Sequence, residues 1–181
     1  MPDNGAMSEE RVIIQYLPDL APEPLRLALW QACLDKRWYF GNQSNEQGGL
    51  PFWKMDLEDC LAATQVWEHA RARCEALAGG ALRVVRQYAN GHTYGQGGQP
   101  HRDDTRQGTY TLLYYPMPEW RAEWEGETMF VDERGEVIAA IKPERNRAVF
   151  FDSRVLHSGR APGRSFPGLR VTVAFKLERA A

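Results

Sequence analysis

Two histidines and an aspartate form the first group of residues that could do chemistry. His101 and Asp103 are separated by one residue in the stretch GQPHRDDTRQG, and His157 follows in FFDSRVLHSGRAP. In an extended segment, side chains two residues apart point to the same side, so His101 and Asp103 can converge while Asp104 points away. Two imidazoles and one carboxylate leave other coordination positions open, an arrangement associated with non-haem Fe(II).

Each of these residues also has a plainer interpretation. The His-x-Asp pair could belong to a surface turn, and His157 could be a hydrogen-bonded turn histidine. The other two histidines are weaker candidates as ligands. We expect His69 on a solvated helix face and His92 in a flexible glycine-rich loop.

The stretch LRVTVAFKL near the end of the chain contains a second candidate site. Its apolar residues alternate with Arg170, Thr172 and further residues of the opposite face, so one face is wholly apolar and the other carries an arginine beside a threonine. If this second face lines a barrel interior, the guanidinium and the hydroxyl form a receptor for a carboxylate. The alternative is a strand arginine that faces solvent.

The elements that must position these residues follow from hydrophobic periodicity. APEPLRLALWQACLD and DLEDCLAATQVWEHARARCEALAGG repeat apolar residues at helical spacing, and Gly79 and Gly80 end the second helix. The intervening stretch KRWYFGNQSNEQGGLPFWKM is rich in glycine, asparagine and aromatic residues, and we expect a long ordered loop. Its aromatic side chains could line a pocket or simply pack.

After Gly80 the period changes from 3.6 to 2, which predicts strands separated by turns. The predicted strands are 82–89, 109–115, 127–132, 136–141, 147–152 and 169–177. Many short strands after a pair of helices predict an α+β fold, a double-stranded β-helix or jelly roll of the cupin-like kind braced by N-terminal helices. Within one structural domain, 1–80 is the helical and loop segment and 81–181 the jelly-roll core.

Composition narrows the class of protein. The chain has 181 residues, 43% hydrophobic and 25% charged, which is ordinary for a soluble globular protein. A net charge of −2 makes a nucleic-acid partner an unfavoured interpretation. Three cysteines without metal-type spacing argue against both a zinc site and a disulfide framework. With neither a signal sequence nor a long apolar stretch, we expect a cytoplasmic protein without a membrane partner.

Several ordered motifs together indicate a family. Beside the metal pattern and the Arg170-x-Thr172 pair, the chain contains RQYANG, YTLLYYPMPEW, EGE, IKPERNRAVFFDS and RVTVAFK. Over residues 82–177 this series resembles the iron(II)/2-oxoglutarate-dependent dioxygenase superfamily, and in particular its prolyl-4-hydroxylase-like branch. One departure is the lengthened stretch GRAPGRSFPG before the arginine, which makes Arg164 a rival of Arg170.

The resemblance implies roles for individual residues. His101, Asp103 and His157 would hold Fe(II), which 2-oxoglutarate would chelate through its 2-oxo and C1 carboxylate groups. Arg170 and Thr172 would bind the distal C5 carboxylate. Related enzymes place tyrosines near the cosubstrate at positions that match Tyr88 and Tyr115 in this chain, although both could equally be core aromatics.

The implied activity is hydroxylation of an unactivated C–H bond, with O2 as oxidant, 2-oxoglutarate converted to succinate and ascorbate as a stimulant. The substrate would be a small metabolite or a peptidyl residue. Two alternatives stay open at this point: a non-catalytic jelly-roll binding module, and a nucleic-acid demethylase of the same superfamily. The sequence leaves the oligomeric state open.

Overall fold

The chain was analysed as a computed structural model that describes residues 12–35, 37–43 and 49–180. Within these ranges it forms two α-helices and ten strands. In chain order they are β1 (Ile14–Leu17), α1 (Glu23–Cys33), β2 (Tyr39–Asn42), β3 (Phe52–Asp56), α2 (Leu61–Ala78), β4 (Leu82–His92), β5 (Thr109–Tyr115), β6 (Thr128–Val131), β7 (Val137–Ile141), β8 (Arg147–Asp152), β9 (His157–Gly159) and β10 (Arg170–Arg179).

The strands form two sheets in which every neighbouring pair is antiparallel. The larger sheet has the order β1-β8-β5-β10-β4-β3-β2, and the smaller one has the order β7-β6-β9. Strands that are distant in sequence therefore lie side by side, as in a jelly roll. The predicted α+β jelly roll is confirmed.

Strand β10 separates two apolar cores because its side chains alternate between the faces of the larger sheet. Val173 and Phe175 belong to the core beneath the helices, where the ring of Phe175 lies 6.4 Å from that of Trp67. Ala174 faces the other way and packs in a smaller core that includes Phe130 of the minor sheet. The even-numbered face of β10 is thus the interior face, as the alternation in LRVTVAFKL requires.

The expectation of a long loop between the helices was wrong for the described part of that stretch, whereas residues 36 and 44–48 lie outside the described residues. Strands β2 and β3 form there, and β3 pairs with β4 so that Met55 lies opposite Ala89. Their backbone groups extend the larger sheet beyond β4, whose outer edge would otherwise lack hydrogen-bond partners. Helix α2 consequently starts later than its apolar pattern indicates, and it ends as predicted at Gly79, which has a φ of +70°.

The expectation of a loop at His92 was also wrong, because β4 continues to this residue. His92 lies opposite Arg170 in the register of β4 and β10. The Asn-Gly pair before it resembles a turn signal, but here Gly91 has a packing role. A Cβ atom at Gly91 would lie 2.7 Å from Cδ2 of Leu169, so the glycine permits this close approach.

Among the residues described, the two helices lack the combination of length and apolar character that a membrane crossing requires.

Candidate functional site

The backbone joins the two candidate ligand histidines directly. His101 N donates to His157 O and His157 N donates to His101 O, both at 3.0 Å, in an isolated antiparallel bridge. The two imidazole rings are 4.5 Å apart, and the Asp103 backbone N–H donates to Ser153 O at 2.9 Å. One potential ligand atom from each of His101, Asp103 and His157 lies within 4.8 Å of the others.

Each histidine is oriented by a carbonyl oxygen of its own segment. Nδ1 of His101 is 2.9 Å from Gln99 O, and Nδ1 of His157 is 2.9 Å from Val155 O. Because a carbonyl oxygen only accepts, Nδ1 donates in both rings, and the neutral tautomer with this proton has its lone pair on Nε2. Both Nε2 atoms are 3.5 Å from an oxygen of Asp103. The Nε2 atoms of the two histidines therefore face the same carboxylate.

Asp103 is ionised although its side chain is only 7% exposed. Burial opposes the charge, but Lys176 and His157 outweigh burial and hold the pKa of Asp103 well below its usual range. Its Oδ2 atom accepts from Thr111 Oγ1 at 2.6 Å and contacts Lys176 Nζ. Burial also lowers the pKa of His157, to about 4, so this imidazole is neutral near pH 7 and can act as a ligand.

The neighbouring Asp104 has a different role. Its carboxylate accepts from the backbone N–H groups of Thr105 and Arg106 at 2.7 and 2.9 Å and forms an ion pair with the Arg106 guanidinium. These contacts stabilise the turn before β5. The structure thus turns Asp103 toward the histidines and Asp104 away from them, as the alternation along the chain predicts.

A cavity of about 420 Å³ connects these three side chains to the interior face of the larger sheet. Strands β4 and β10 form one wall, and their inward side chains run from the histidines toward a buried arginine. The wall and its surroundings include Tyr88, Asn90, His92, Leu113, Thr128, Arg170, Thr172 and Lys176.

Arg170 is fully buried in this wall. Its Nε donates to Gly126 O at 2.5 Å, and its Nη2 donates to Thr128 Oγ1 at 3.1 Å. A Cβ atom at Gly126 would lie only 3.1 Å from Cδ of Arg170, so this glycine leaves room for the side chain. Burial lowers the pKa of Arg170, and the charge of Glu127 offsets this only in part, because none of the described carboxylates forms a salt bridge with the guanidinium. A buried guanidinium that lacks a directly paired carboxylate is a site for an anion.

The rival arginine lies elsewhere. Arg164 is exposed in the lengthened loop before β10. Phe166 anchors that loop, with its ring 4.6 Å from Trp120 and 5.0 Å from Trp124. The geometry therefore places Arg170 at the cavity, while the aromatic residues of this region pack against one another.

The two candidate tyrosines differ in position. Tyr115 is fully buried, donates its hydroxyl to Thr128 Oγ1 at 2.7 Å and has its ring 5.9 Å from the Arg170 guanidinium. Tyr88 lines the cavity, with the Lys176 ammonium 5.8 Å from its ring centre. Tyr115 thus packs against the Arg170 guanidinium, whereas Tyr88 lies at the end of the cavity where His101, Asp103 and His157 meet.

Sequence reasoning missed four residues of the site, namely His92, Thr111, Thr128 and Lys176. For Lys176 a signal was available, because it shares the face of Arg170 and Thr172 at every second position of β10. No sequence pattern indicates Thr128. It belongs to the smaller sheet and Arg170 to the larger one, so the two residues meet only in the folded chain.

A jelly roll that brings two histidines, a carboxylate and a buried guanidinium to one cavity has the features of the non-haem iron oxygenases. Residues 85–175, half of the chain, match the family model described as the 2OG-Fe(II) oxygenase superfamily. The chain belongs to this superfamily. It is an enzyme that uses Fe(II), 2-oxoglutarate and O2, and the interpretation as a non-catalytic binding module is excluded.

Solved structures share the fold. A Pseudomonas putida prolyl-4-hydroxylase is 16% identical, with a TM-score of 0.65 and coverage of 93% of each chain. The collagen prolyl hydroxylase of Paramecium Bursaria Chlorella virus-1 is 13% identical, with a TM-score of 0.67 over 92% of this chain and 96% of the viral one. The epimerase SnoN of nogalamycin biosynthesis is 16% identical, with a TM-score of 0.70 over 94% and 80%. No curated protein matched the chain by sequence.

Proposed function

We propose that this enzyme hydroxylates an unactivated C–H bond of a small metabolite or a peptidyl residue, and that it converts 2-oxoglutarate to succinate in the same turnover. One observation carries the proposal. The same cavity contains three convergent metal-binding side chains and a buried guanidinium that forms no salt bridge with any described carboxylate. A dicarboxylate that binds a metal through one end can reach such a guanidinium with the other.

In this proposal His101, Asp103 and His157 hold Fe(II). The donor set fits the ion because both histidines direct Nε2 toward Asp103, whose low pKa keeps it charged. Bound there, Fe(II) supplies the activation of O2 that C–H hydroxylation requires. Three protein ligands leave coordination positions for a cosubstrate and for O2, and the carboxylate ligand argues against halogenation, which needs a vacant ligand position.

Arg170 and Thr172 bind the distal carboxylate of 2-oxoglutarate in this proposal. Thr128 contributes as well, because its oxygen accepts from Arg170 and Tyr115 and its own proton stays free for a ligand. Tyr115 acts through Thr128. Tyr88 lies near the metal end and forms part of the wall beside the reacting groups.

The lining of the cavity is mainly polar, and a few apolar side chains form the part that limits the access of water. Leu113 lines the cavity and packs with Tyr88, Val149 and Ala174 in the smaller core. Such an apolar surface would limit side reactions with water beside the reacting groups. Phe52 and Asn42 belong to strands β3 and β2, which places this pair of strands at the cavity, where a substrate can contact it.

The direct test is succinate formation by the Fe(II)-loaded protein in the presence of 2-oxoglutarate and libraries of metabolites and peptides. We expect one substrate class to stimulate succinate release and to gain one oxygen atom per succinate, measured by mass spectrometry. A product that is isomerised or cyclised without gain of oxygen would contradict hydroxylation. Stimulation by single-stranded nucleic acid alone would instead support the demethylase.

Histidine variants provide a matched control for this experiment. His157→Ala removes a proposed ligand, whereas His69→Ala removes an exposed histidine of α2. We expect substrate-dependent succinate release to be lost in His157→Ala and retained in His69→Ala. Full activity in His157→Ala would overturn the proposed site.

A further inference from the structure

We propose that His92 is a direct hydrogen-bond donor, through Nε2, to the distal carboxylate of 2-oxoglutarate, and that it contributes to the selection of a dicarboxylate over a monocarboxylic keto acid. This inference rests on the proposed function, because it assigns a further residue to the site that Arg170 forms.

The hydrogen bond to Arg170 decides which nitrogen of His92 carries the proton. Arg170 Nη1 lies 3.3 Å from Nδ1 of His92. A guanidinium nitrogen only donates, so Nδ1 must accept. In a neutral imidazole the other nitrogen then bears the hydrogen, and Nε2 is a donor.

That donor has no partner among the described residues. Nε2 of His92 is a buried atom without a hydrogen bond, in a side chain that is only 4% exposed. His92 lines the cavity together with Arg170 and Thr128. A buried unpaired N–H is unfavourable, and a ligand carboxylate beside Arg170 would satisfy it.

The surroundings keep the ring in this position and in this state. The ring of Phe52 packs 4.8 Å from that of His92, and a Cβ atom at Gly159 would approach its Cε1 atom to 3.2 Å. Burial and the charge of Arg170 lower the pKa of His92 to about 3, so the ring stays neutral. The neutral ring can accept from Arg170 and donate to the ligand at the same time.

Two conservative variants separate this role from mere support of Arg170. In His92→Gln the side-chain NH2 group can reach the position of Nε2, whereas in His92→Asn the side-chain amide can reach only the position of Nδ1. A donor role predicts that Gln retains affinity for 2-oxoglutarate better than Asn does. A role confined to positioning Arg170 through Nδ1 predicts the opposite order. His92→Phe keeps the ring packing and removes both nitrogens.

The test is calorimetric titration of the Mn(II)-loaded protein with 2-oxoglutarate and, separately, with 2-oxovalerate, which lacks the distal carboxylate. We expect His92→Phe to raise the Kd for 2-oxoglutarate roughly 10- to 100-fold, the range for a hydrogen bond to a charged group. The Kd for 2-oxovalerate should change by less than about 2-fold, because its terminal methyl group cannot accept a hydrogen bond from His92.

An unchanged Kd for 2-oxoglutarate in His92→Phe, equal weakening for both keto acids, or a better result for Asn than for Gln would each overturn the inference. Thermal melting of every variant checks that it is folded. If His92→Phe is unfolded, the comparison of His92→Gln with His92→Asn decides the test. The proposed function fails separately. It fails if the wild-type protein binds no 2-oxoglutarate, whereas the inference alone fails if Arg170→Met weakens binding and the His92 variants do not.

Discussion

Lys176 Nζ contacts Oδ2 of Asp103, which places an ammonium group with a side-chain exposure of 17% beside the carboxylate between the two histidines. Thr111 donates to the same oxygen. Burial lowers the pKa of Lys176, but Asp103 outweighs burial and raises it above its ordinary value. In the metal-free protein the ammonium therefore serves as the counter-charge of Asp103.

The first prediction follows from this ion pair. Lys176→Met leaves a buried carboxylate without its counter-charge, so we expect the free energy of unfolding of the metal-free protein to fall by about 3 kcal/mol. Saturating Mn(II) should recover more stability in the variant than in the wild-type protein, because the cation replaces the missing charge. Urea unfolding with and without Mn(II) measures both quantities.

Lys142→Met is the matched control, because Lys142 is more exposed and its ion-pair distance to Glu144 is 3.9 Å. Its free energy of unfolding should change by less than about 1 kcal/mol. Equal effects of the two substitutions would show that the Lys176 contact with Asp103 contributes no specific stabilisation.

The second prediction concerns the adjacent aspartates. We expect Asp103→Ala to abolish Mn(II) binding and Fe(II)-dependent succinate release, since of the two adjacent aspartates it is Asp103 whose carboxylate faces the histidines. Asp104→Ala should keep most of both, because it loses only turn contacts. Calorimetry and succinate assays compare the two variants, and a similar loss in both would refute the assignment of Asp103 as the ligand.

The third prediction compares the two arginines. Arg170→Ala removes the buried cation of the cavity, and we expect the KM for 2-oxoglutarate to rise at least about 30-fold, the equivalent of about 2 kcal/mol for a buried charge pair. Arg164→Ala removes an exposed loop residue and should change the KM by less than about 2-fold. Initial rates at varied 2-oxoglutarate decide between them, and the reverse ranking would make Arg164 the carboxylate-binding residue.

The fourth prediction concerns pH and the stability of the metal-free protein. Burial lowers the pKa of His92 to about 3 and that of His157 to about 4. The unfolded chain binds these protons near pH 6.5, so acid favours the unfolded state as the pH falls from 6.5 toward 4. At pH 5.5 each histidine should lower the free energy of unfolding by about 1.4 kcal/mol relative to high pH.

Urea unfolding at pH 7.5 and 5.5 checks this dependence. His92→Phe should reduce the difference between the two pH values, because one of the two buried histidines is removed. His69→Gln, which alters an exposed histidine, should leave the difference as it is in the wild-type protein. Asp103 cannot account for the effect, because its pKa lies well below this range. An unchanged difference in His92→Phe would contradict the buried neutral state of that ring.

Local patterns predicted the parts of the fold that depend on one segment at a time. Strands β5 and β8 have the predicted bounds, 109–115 and 147–152, because their apolar and aromatic residues are flanked by clear turn residues. The failures include β2 and β3, whose mixed composition has no period of its own. Those strands form because the edge of β4 offers hydrogen-bond partners, which is information outside the segment.

The sequence alone identified His101 and Asp103 as a pair of candidate ligands. It also placed Arg170 and Thr172 on one face of a strand. Both inferences use the alternation of side chains along an extended segment, which is a local property. The fold alone brought His92 and Thr128 to the site, and for Lys176, whose face the alternation already indicates, it decided the contact with Asp103. Each contacts a partner in a distant segment of the chain, and a contact between distant segments leaves no trace in residue spacing. Burial makes any charge or N–H group without a partner unfavourable, because the interior has a low dielectric constant. The contacts of these side chains therefore fix the tautomer of a histidine and shift the pKa values of the buried groups.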